Sequence, residues 1–140
     1  MNTKRCFYLC VLLLLGAATV GWTQLFTTTF EAYTSVGIME ADNVTPLRGN
    51  SEGGDLVQLL WVGPDGQIAE PDSFGNPTAD DSLLGVTYIG HGYPFNPDEG
   101  LFAAVFRHEL LKTGSRVYVR AWNDSVAEKA AYGNSLTYVI

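Results

Sequence analysis

Oxygen-bearing side chains cluster between residues 65 and 81, and this stretch is the part of the sequence best suited to chemistry. The candidate ligands are Asp65, Asp72, Asn76, Asp80 and Asp81. Calcium takes about six to eight hard oxygens from carboxylates, amide carbonyls and the backbone. A cation would also relieve the repulsion between neighbouring carboxylates. Because the regular ligand spacing of an EF-hand is absent, two interpretations stay open: a calcium-binding loop and a solvated acidic loop.

Aromatic residues in or beside expected loops are the second candidate site. They are Phe74, Tyr88, Tyr93 and Phe95. Planar side chains next to acidic and amide groups are suited to holding sugar rings. The alternative is that these rings cap the ends of the core, because scattered apolar residues on a surface are common.

The sequence contains partial matches to catalytic motifs, but none of them is complete in both residues and context. His108 and Glu109 resemble the start of a zinc-protease motif, but Lys112 stands where the second histidine is required. Residues 49–53 match the Gly-x-Ser-x-Gly pattern, but they lie in a segment expected to be a loop, without the strand and helix that a nucleophile elbow requires. We therefore expect no enzymatic activity.

Short strands separated by turn residues must position these side chains. Aromatic and β-branched residues are plentiful, and Gly, Pro, Asn and Asp interrupt the chain often. Residues 56–62 are apolar on both faces, which predicts a strand covered on both sides. A short helical turn is expected at 126–131. The predicted strands are residues 25–33, 35–41, 56–62, 83–90, 101–107, 115–122 and 136–140. This pattern predicts an all-β antiparallel β-sandwich, with a barrel or jelly roll as the alternative.

The first residues of the chain have the order of a secretory signal peptide. Lys4 and Arg5 precede an apolar run, and small residues follow it. We expect residues 1–21 to be the signal, cleaved near 18–21, and residues 22–140 to form a single domain. Both cysteines, Cys6 and Cys10, lie in the signal. The predicted location is secreted or cell-surface, with membrane attachment only through an uncleaved signal.

The charge of the chain restricts its partners. Residues 22–140 contain six basic and fifteen acidic side chains, a net charge of −9. Nucleic acid requires a cationic face, so we expect no nucleic-acid partner. A protein or glycan partner stays open, and self-assembly through the strand at 136–140 is a further alternative.

Two segments near the end of the chain resemble a known family. Residues 116–123 read Arg-Val-Tyr-Val-Arg-Ala-Trp-Asn, and residues 132–139 read Tyr-Gly-Asn-Ser-Leu-Thr-Tyr-Val. Together they resemble the last hairpin of fibronectin type III and immunoglobulin-like domains. Residues 55–66 resemble a strand found in uncharacterised exported bacterial proteins. The resemblance implies a β-sandwich fold.

These observations lead to two functional expectations. The first is a non-enzymatic exported β-sandwich that serves as a cell-surface, adhesive or structural interaction module. The alternative is a carbohydrate-binding domain with a calcium-stabilised acidic loop.

Overall fold

The computed structural model of the chain describes residues 28–34, 36–49, 53–92, 99–109, 111, 114–128 and 130–140. The expected signal at 1–21 lies outside the described residues, and so do the candidate aromatics Tyr93 and Phe95. Within the described residues the protein is all-β, with antiparallel strands and no helix. The predicted fold class is therefore confirmed at this level. A helix with the length and apolarity needed to span a membrane does not occur among these residues.

Turn chemistry and β-forming composition define the strands. The longest strands are rich in β-branched and aromatic residues, which suit a pleated, half-buried surface. Gly63 and Gly66 end the second strand with φ angles of 70° and 72°, a conformation that glycine adopts without strain. The strands in the described part of the chain are β1 Thr28–Tyr33, β2 Leu56–Trp61, β3 Ser82–Tyr88, β4 Ala103–His108, β5 Arg116–Trp122, β6 Tyr132–Asn134 and β7 Tyr138–Val139.

The larger sheet has the order β3-β2-β5-β6, and β7 also pairs with β5. Directly opposed residues of an antiparallel pair point to the same side of a sheet, so two sets of side chains emerge. One side, which we call the groove face, carries Val57, Leu59, Trp61, Val117, Val119 and Ala121. The other side, which we call the loop face, carries Gln58, Leu60, Tyr118, Arg120 and Trp122. Residues 56–60 are all buried, which confirms that β2 is covered on both sides.

The smaller sheet, β1 paired with β4, packs on the groove face. Phe106 of β4 lies in one cluster with Leu59 and Val117. Gly85 of β3 makes room for it, because a Cβ at Gly85 would stand 2.5 Å from Cδ1 of the Phe106 ring. The two sheets are separate and neither closes on itself, in contrast to the barrel alternative.

The strand predicted at 35–41 does not form in its described part. Met39 makes only an isolated bridge with Pro46. The carboxylate of Asp42 accepts the backbone N–H groups of Val44 and Thr45 at 2.9 and 2.8 Å. Such local bonds offer the backbone an alternative to a ladder, so the chain turns here instead of continuing as a strand.

The end of the chain differs from the prediction in a related way. No helix forms among the described residues of 126–131, and β6 appears within a segment expected to be a connection. The final strand is reduced to two residues, because Ser135 interrupts the ladder with β5. Its N–H donates to the carbonyl of Val119 at 2.8 Å, while its hydroxyl accepts the Val119 N–H at 3.0 Å.

Candidate functional site

The loop face is covered by residues 63–81, which make up all but the first residue of the connection between β2 and β3. Ile68 in this segment packs on Leu60, Val62 and Tyr118, all of which are fully buried. The segment therefore contributes a layer of the core.

The turn of the same segment that contains Gly75 is fixed against β5. Gly75 has a φ of +82°, and a Cβ there would collide with Ala127 and the ring of Trp122. Gln58 donates from Nε2 to the Gly75 carbonyl at 3.0 Å and accepts from Trp122 Nε1 at 3.0 Å. This position needs glycine both for its conformation and for the close approach.

A fully buried arginine, Arg120, lies at the centre of the loop face, with no exposed surface. Its Nε donates to Asn134 Oδ1 at 2.8 Å, and its Nη2 donates to the Ala69 carbonyl at 2.6 Å and the Tyr118 hydroxyl at 3.1 Å. Its guanidinium carbon is 5.5 Å from the ring centre of Tyr118 and 5.1 Å from that of Tyr132. Hydrogen-bond acceptors and aromatic faces thus replace part of the water that a buried cation loses, while Nη1 has no hydrogen-bond partner among the described residues.

Asp81 joins this network from the end of segment 63–81. It is 7% exposed, and its Oδ2 accepts the Tyr118 hydroxyl at 2.8 Å and the Ala69 N–H at 3.0 Å. Burial, and then the hydrogen bond to Asp81, raise the pKa of Tyr118, while the charge of Arg120 acts in the opposite direction. The hydroxyl therefore stays protonated and ties the segment to the sheet.

The other predicted calcium ligands lie in two separate turns. The Asp65 N–H donates to Asp80 Oδ2 at 3.2 Å, so these two residues are neighbours. Asp72 Oδ1 accepts the N–H groups of Phe74 and Asn76, each at 2.9 Å, and Asn76 Nδ2 donates to Asp72 Oδ2 at 2.9 Å. The hydrogen bond from the Asn76 side chain is the main cause of a lowered pKa at Asp72.

The predicted ligand set is thus divided among three places: the Asp65–Asp80 pair, the Asp72–Asn76 turn, and the buried Asp81 at the end of the segment. Within the described ranges, no group of three or more His, Cys, Asp or Glu side chains is arranged to hold a metal. Calcium binding by this segment stays a prediction.

The described candidate aromatics lie in different settings. Phe74 is 66% exposed in the Asp72–Asn76 turn. Tyr88 is half-buried at the end of β3, with its ring centre 5.4 Å from that of His91. Sugar binding by these side chains also stays a prediction.

A groove of about 710 Å³ opens on the groove face, beside β1. It forms because the sheet below is wider than the two-stranded sheet above it. Gly133 lies opposite Ala121 and brings no side chain into this space. The volume is within the range of about 300–1,000 Å³ found for ligand pockets. The apolar lining from β2, β5 and the residue before β4 is Leu59, Val117, Val119, Ala121 and Phe102.

One side of β1 borders the groove. The Thr34 N–H donates to the Phe102 carbonyl at 3.0 Å, and bonded pairs alternate along an antiparallel ladder. The backbone groups of Glu31 and Tyr33 are therefore directed away from β4. No strand in the described part of the chain pairs with this side of β1.

The rim of the groove is acidic and aromatic. Its charged lining residues, among those described, are Glu31 and Glu40, with no lysine or arginine. Tyr33 and Tyr138 line it with 67% and 59% of their surfaces exposed. The arrangement offers backbone hydrogen bonds, an apolar floor and a negative edge in one place.

Comparison with known proteins gives no relative. No family model, curated protein or solved structure matches the chain. The functional argument therefore rests on the described geometry.

Sequence reasoning missed both the groove and the Arg120 network. A signal for the network was present: the alternation of β5 places Tyr118 and Arg120 on one face, and residues 56–62 are apolar on both faces. Pairing these strands puts an arginine on a covered face. The sequence carries no comparable signal for the groove, because the groove depends on the relative widths of two sheets.

Proposed function

We propose that the protein is a non-enzymatic, exported β-sandwich that acts as an interaction module at a cell surface, in an adhesive or structural role. The observation that carries this proposal is the groove beside β1, where a strand edge that pairs with no other described strand meets an apolar floor. Edge strands with free backbone groups are places where a further chain can pair.

The sandwich assignment is supported by the packing of the smaller sheet on the groove face, through Phe106 of β4 and through Phe102, the residue before β4. Kinship with fibronectin type III or immunoglobulin-like domains is part of the same proposal. It draws on the sequences of residues 116–123 and 132–139, together with their antiparallel pairing.

Site-specific photo-crosslinking in the producing cells tests the interaction. A photoreactive phenylalanine analogue is placed at Tyr33 on the groove and, as a matched control, at Phe74 on the loop side. Both positions are aromatic and similarly exposed, at 67% and 66%. The proposal expects discrete adducts of higher mass at position 33 and none at position 74.

Equal labelling at the two positions, or no adduct at either, contradicts the proposal. Export is checked separately by measuring the mass of the mature protein outside the cytoplasm, which should correspond to a start between residues 19 and 22. A protein that retains residues 1–21 in the cytoplasm contradicts the exported location.

The alternative is a carbohydrate-binding domain with a calcium-stabilised loop. Exposed Phe74, held in a turn by Asp72 and Asn76, is the observation that favours it. A glycan array probed with the wild type and with Phe74→Ala tests this function. Binding that is lost in the variant supports the alternative, and an array without signal removes it.

A further inference from the structure

We propose that the groove binds an extended segment of another polypeptide, which adds to β1 as a further strand and places a lysine or arginine beside Glu31. This inference rests on the interaction function proposed above and names the partner that the groove fits.

The edge of β1 that no described strand pairs with supplies the main-chain contacts. The N–H and carbonyl groups of Glu31 and Tyr33 are directed away from β4, and they alternate with groups used in the β1–β4 ladder. An added strand would complete the ladder, the mode in which main-chain bonds give affinity and alternate side chains give specificity. Residues 29–33 offer an edge of roughly 17 Å at the usual rise of a strand.

The floor of the groove suits the alternate side chains of such a segment. Val119 is only half-buried, although Val117 and Ala121 on either side of it on this face are buried. Gly133 and Ala121 leave space where larger residues would close it. An apolar side chain that points down from an added strand would therefore cover Val119.

Charge selects the kind of polypeptide. Glu31 and Glu40 are the charged residues of the described groove lining, and residues 22–140 carry a net charge of −9. A second copy of this chain would bring like charge to an acidic rim, whereas a basic segment gains attraction there. The occupant is therefore a basic, alternately apolar segment of a different protein.

The binding test uses a synthetic peptide of about seven residues that alternates valine and threonine and has lysine at both ends. Its affinity for the mature protein is measured by fluorescence anisotropy. Tyr33→Pro removes an N–H that points away from β4, so the native ladder is kept while the added strand loses a donor. Val105→Pro is the matched control, because Val105 lies opposite Glu31 and its N–H points away from β1.

We expect saturable binding that weakens at least about tenfold in Tyr33→Pro and is unchanged in Val105→Pro. Glu31→Gln should weaken binding roughly two- to fivefold, as expected for a solvent-exposed ion pair, and should reduce its dependence on salt. A peptide with glutamate in place of lysine should bind more weakly than the lysine peptide. Circular dichroism of each variant confirms that the fold is retained.

Equal affinity in the wild type and Tyr33→Pro overturns strand addition, and preference for the glutamate peptide overturns the charge argument. Self-association of the wild type that Tyr33→Pro abolishes, without peptide binding, makes a second copy the occupant and also overturns the inference. If crosslinks form at position 33 but the peptide does not bind, this inference fails and the proposed function stands. Absence of crosslinks contradicts the proposed function itself.

Discussion

The two faces of the central sheet are completed by different means. On the loop face, segment 63–81 covers β2 and β5 and leaves Tyr118 and Arg120 without exposed surface. On the groove face, β1 and β4 cover only part of the sheet, and Val119 stays half-buried beside an open groove. One face is closed by an irregular segment with buried polar contacts, and the other is left open by a sheet with few strands.

This difference separates residues that hold the fold from residues that are free to act. Asp81 and Arg120 are tied into the loop face by hydrogen bonds to Tyr118 and Ala69, although Asp81 Oδ1 and Arg120 Nη1 have no partner among the described residues; both side chains therefore serve mainly to hold the fold. Among the residues that the structure describes, the groove combines features that the fold does not require: an edge of β1 without a partner strand, an acidic rim and an uncovered apolar floor. The side chains whose chemistry suggested a site thus lie on the loop face, where they hold the fold. The candidate functional site is the groove, which consists mainly of apolar side chains and backbone groups.

The largest effect that the comparison predicts comes from removing Arg120. Arg120→Ala leaves a cavity and deprives Asn134 and the Ala69 carbonyl of their donor. We expect a loss of about 3 kcal/mol or more in the free energy of unfolding, measured by urea titration. Arg116→Ala on the same strand is the control, because Arg116 is exposed and should change stability by less than about 0.5 kcal/mol. Similar losses in the two variants would mean that the loop face is not closed around Arg120.

Threonine substitutions at two valines measure how far the groove face is open. Val57→Thr places a hydroxyl in a site that is 1% exposed and should cost about 1–3 kcal/mol of unfolding free energy. Val119→Thr should cost less than about 1 kcal/mol, because its hydroxyl reaches solvent in the groove. Thermal unfolding of both variants gives the comparison. If Val119→Thr costs as much as Val57→Thr, the groove is closed in solution.

Alkaline pH should lower the free energy of unfolding through Tyr118 on the loop face. The raised pKa of its hydroxyl means that, above about pH 10, the unfolded state releases a proton that the folded state retains. The unfolded state then binds fewer protons, so stability falls as pH rises, by up to about 1.4 kcal/mol per pH unit from this group. Unfolding titrations at several pH values should show a steeper decline for the wild type than for Tyr118→Phe. Parallel curves would place the Tyr118 hydroxyl outside this network.

The smallest effect concerns the Asp72–Asn76 turn of segment 63–81. If calcium binds there, millimolar calcium raises the melting midpoint of the wild type, since a ligand of the folded state stabilises it. The rise should disappear with a chelator and shrink in Asp72→Asn. An unchanged midpoint with calcium and with chelator removes the ion from segment 63–81.

Much of the all-β class was readable from the sequence, for reasons visible in particular residues. The apolar run at 56–62 and the alternation at 115–122 gave β2 and β5 nearly to their ends. By contrast, Asp42 and Ser135 redirect the backbone through their side chains, an effect that composition alone does not locate. For that reason the strand predicted at 35–41 was wrong in its described part, and neither β6 nor the shortening of the last strand to β7 was predicted.

The candidate sites were harder to predict. Acidic and aromatic residues were selected for their chemistry, but in the structure Asp81 is buried at the end of segment 63–81 and Asp72 holds a turn. The groove is formed by common apolar residues and by backbone groups of Glu31 and Tyr33. Nothing in a list of residue types distinguishes an edge strand from a central one.

Amide hydrogen exchange of the free monomer tests the contrast between the faces most directly. The account predicts fast exchange at Glu31 and Tyr33, whose N–H groups border the groove, and slow exchange at Leu59 and Leu60 in the covered strand β2. Adding the lysine peptide should slow exchange at Glu31 and Tyr33 and leave Leu59 and Leu60 unchanged. Protection of these two amides in the free monomer, equal to that of β2, would contradict the account by showing that the edge of β1 is already paired.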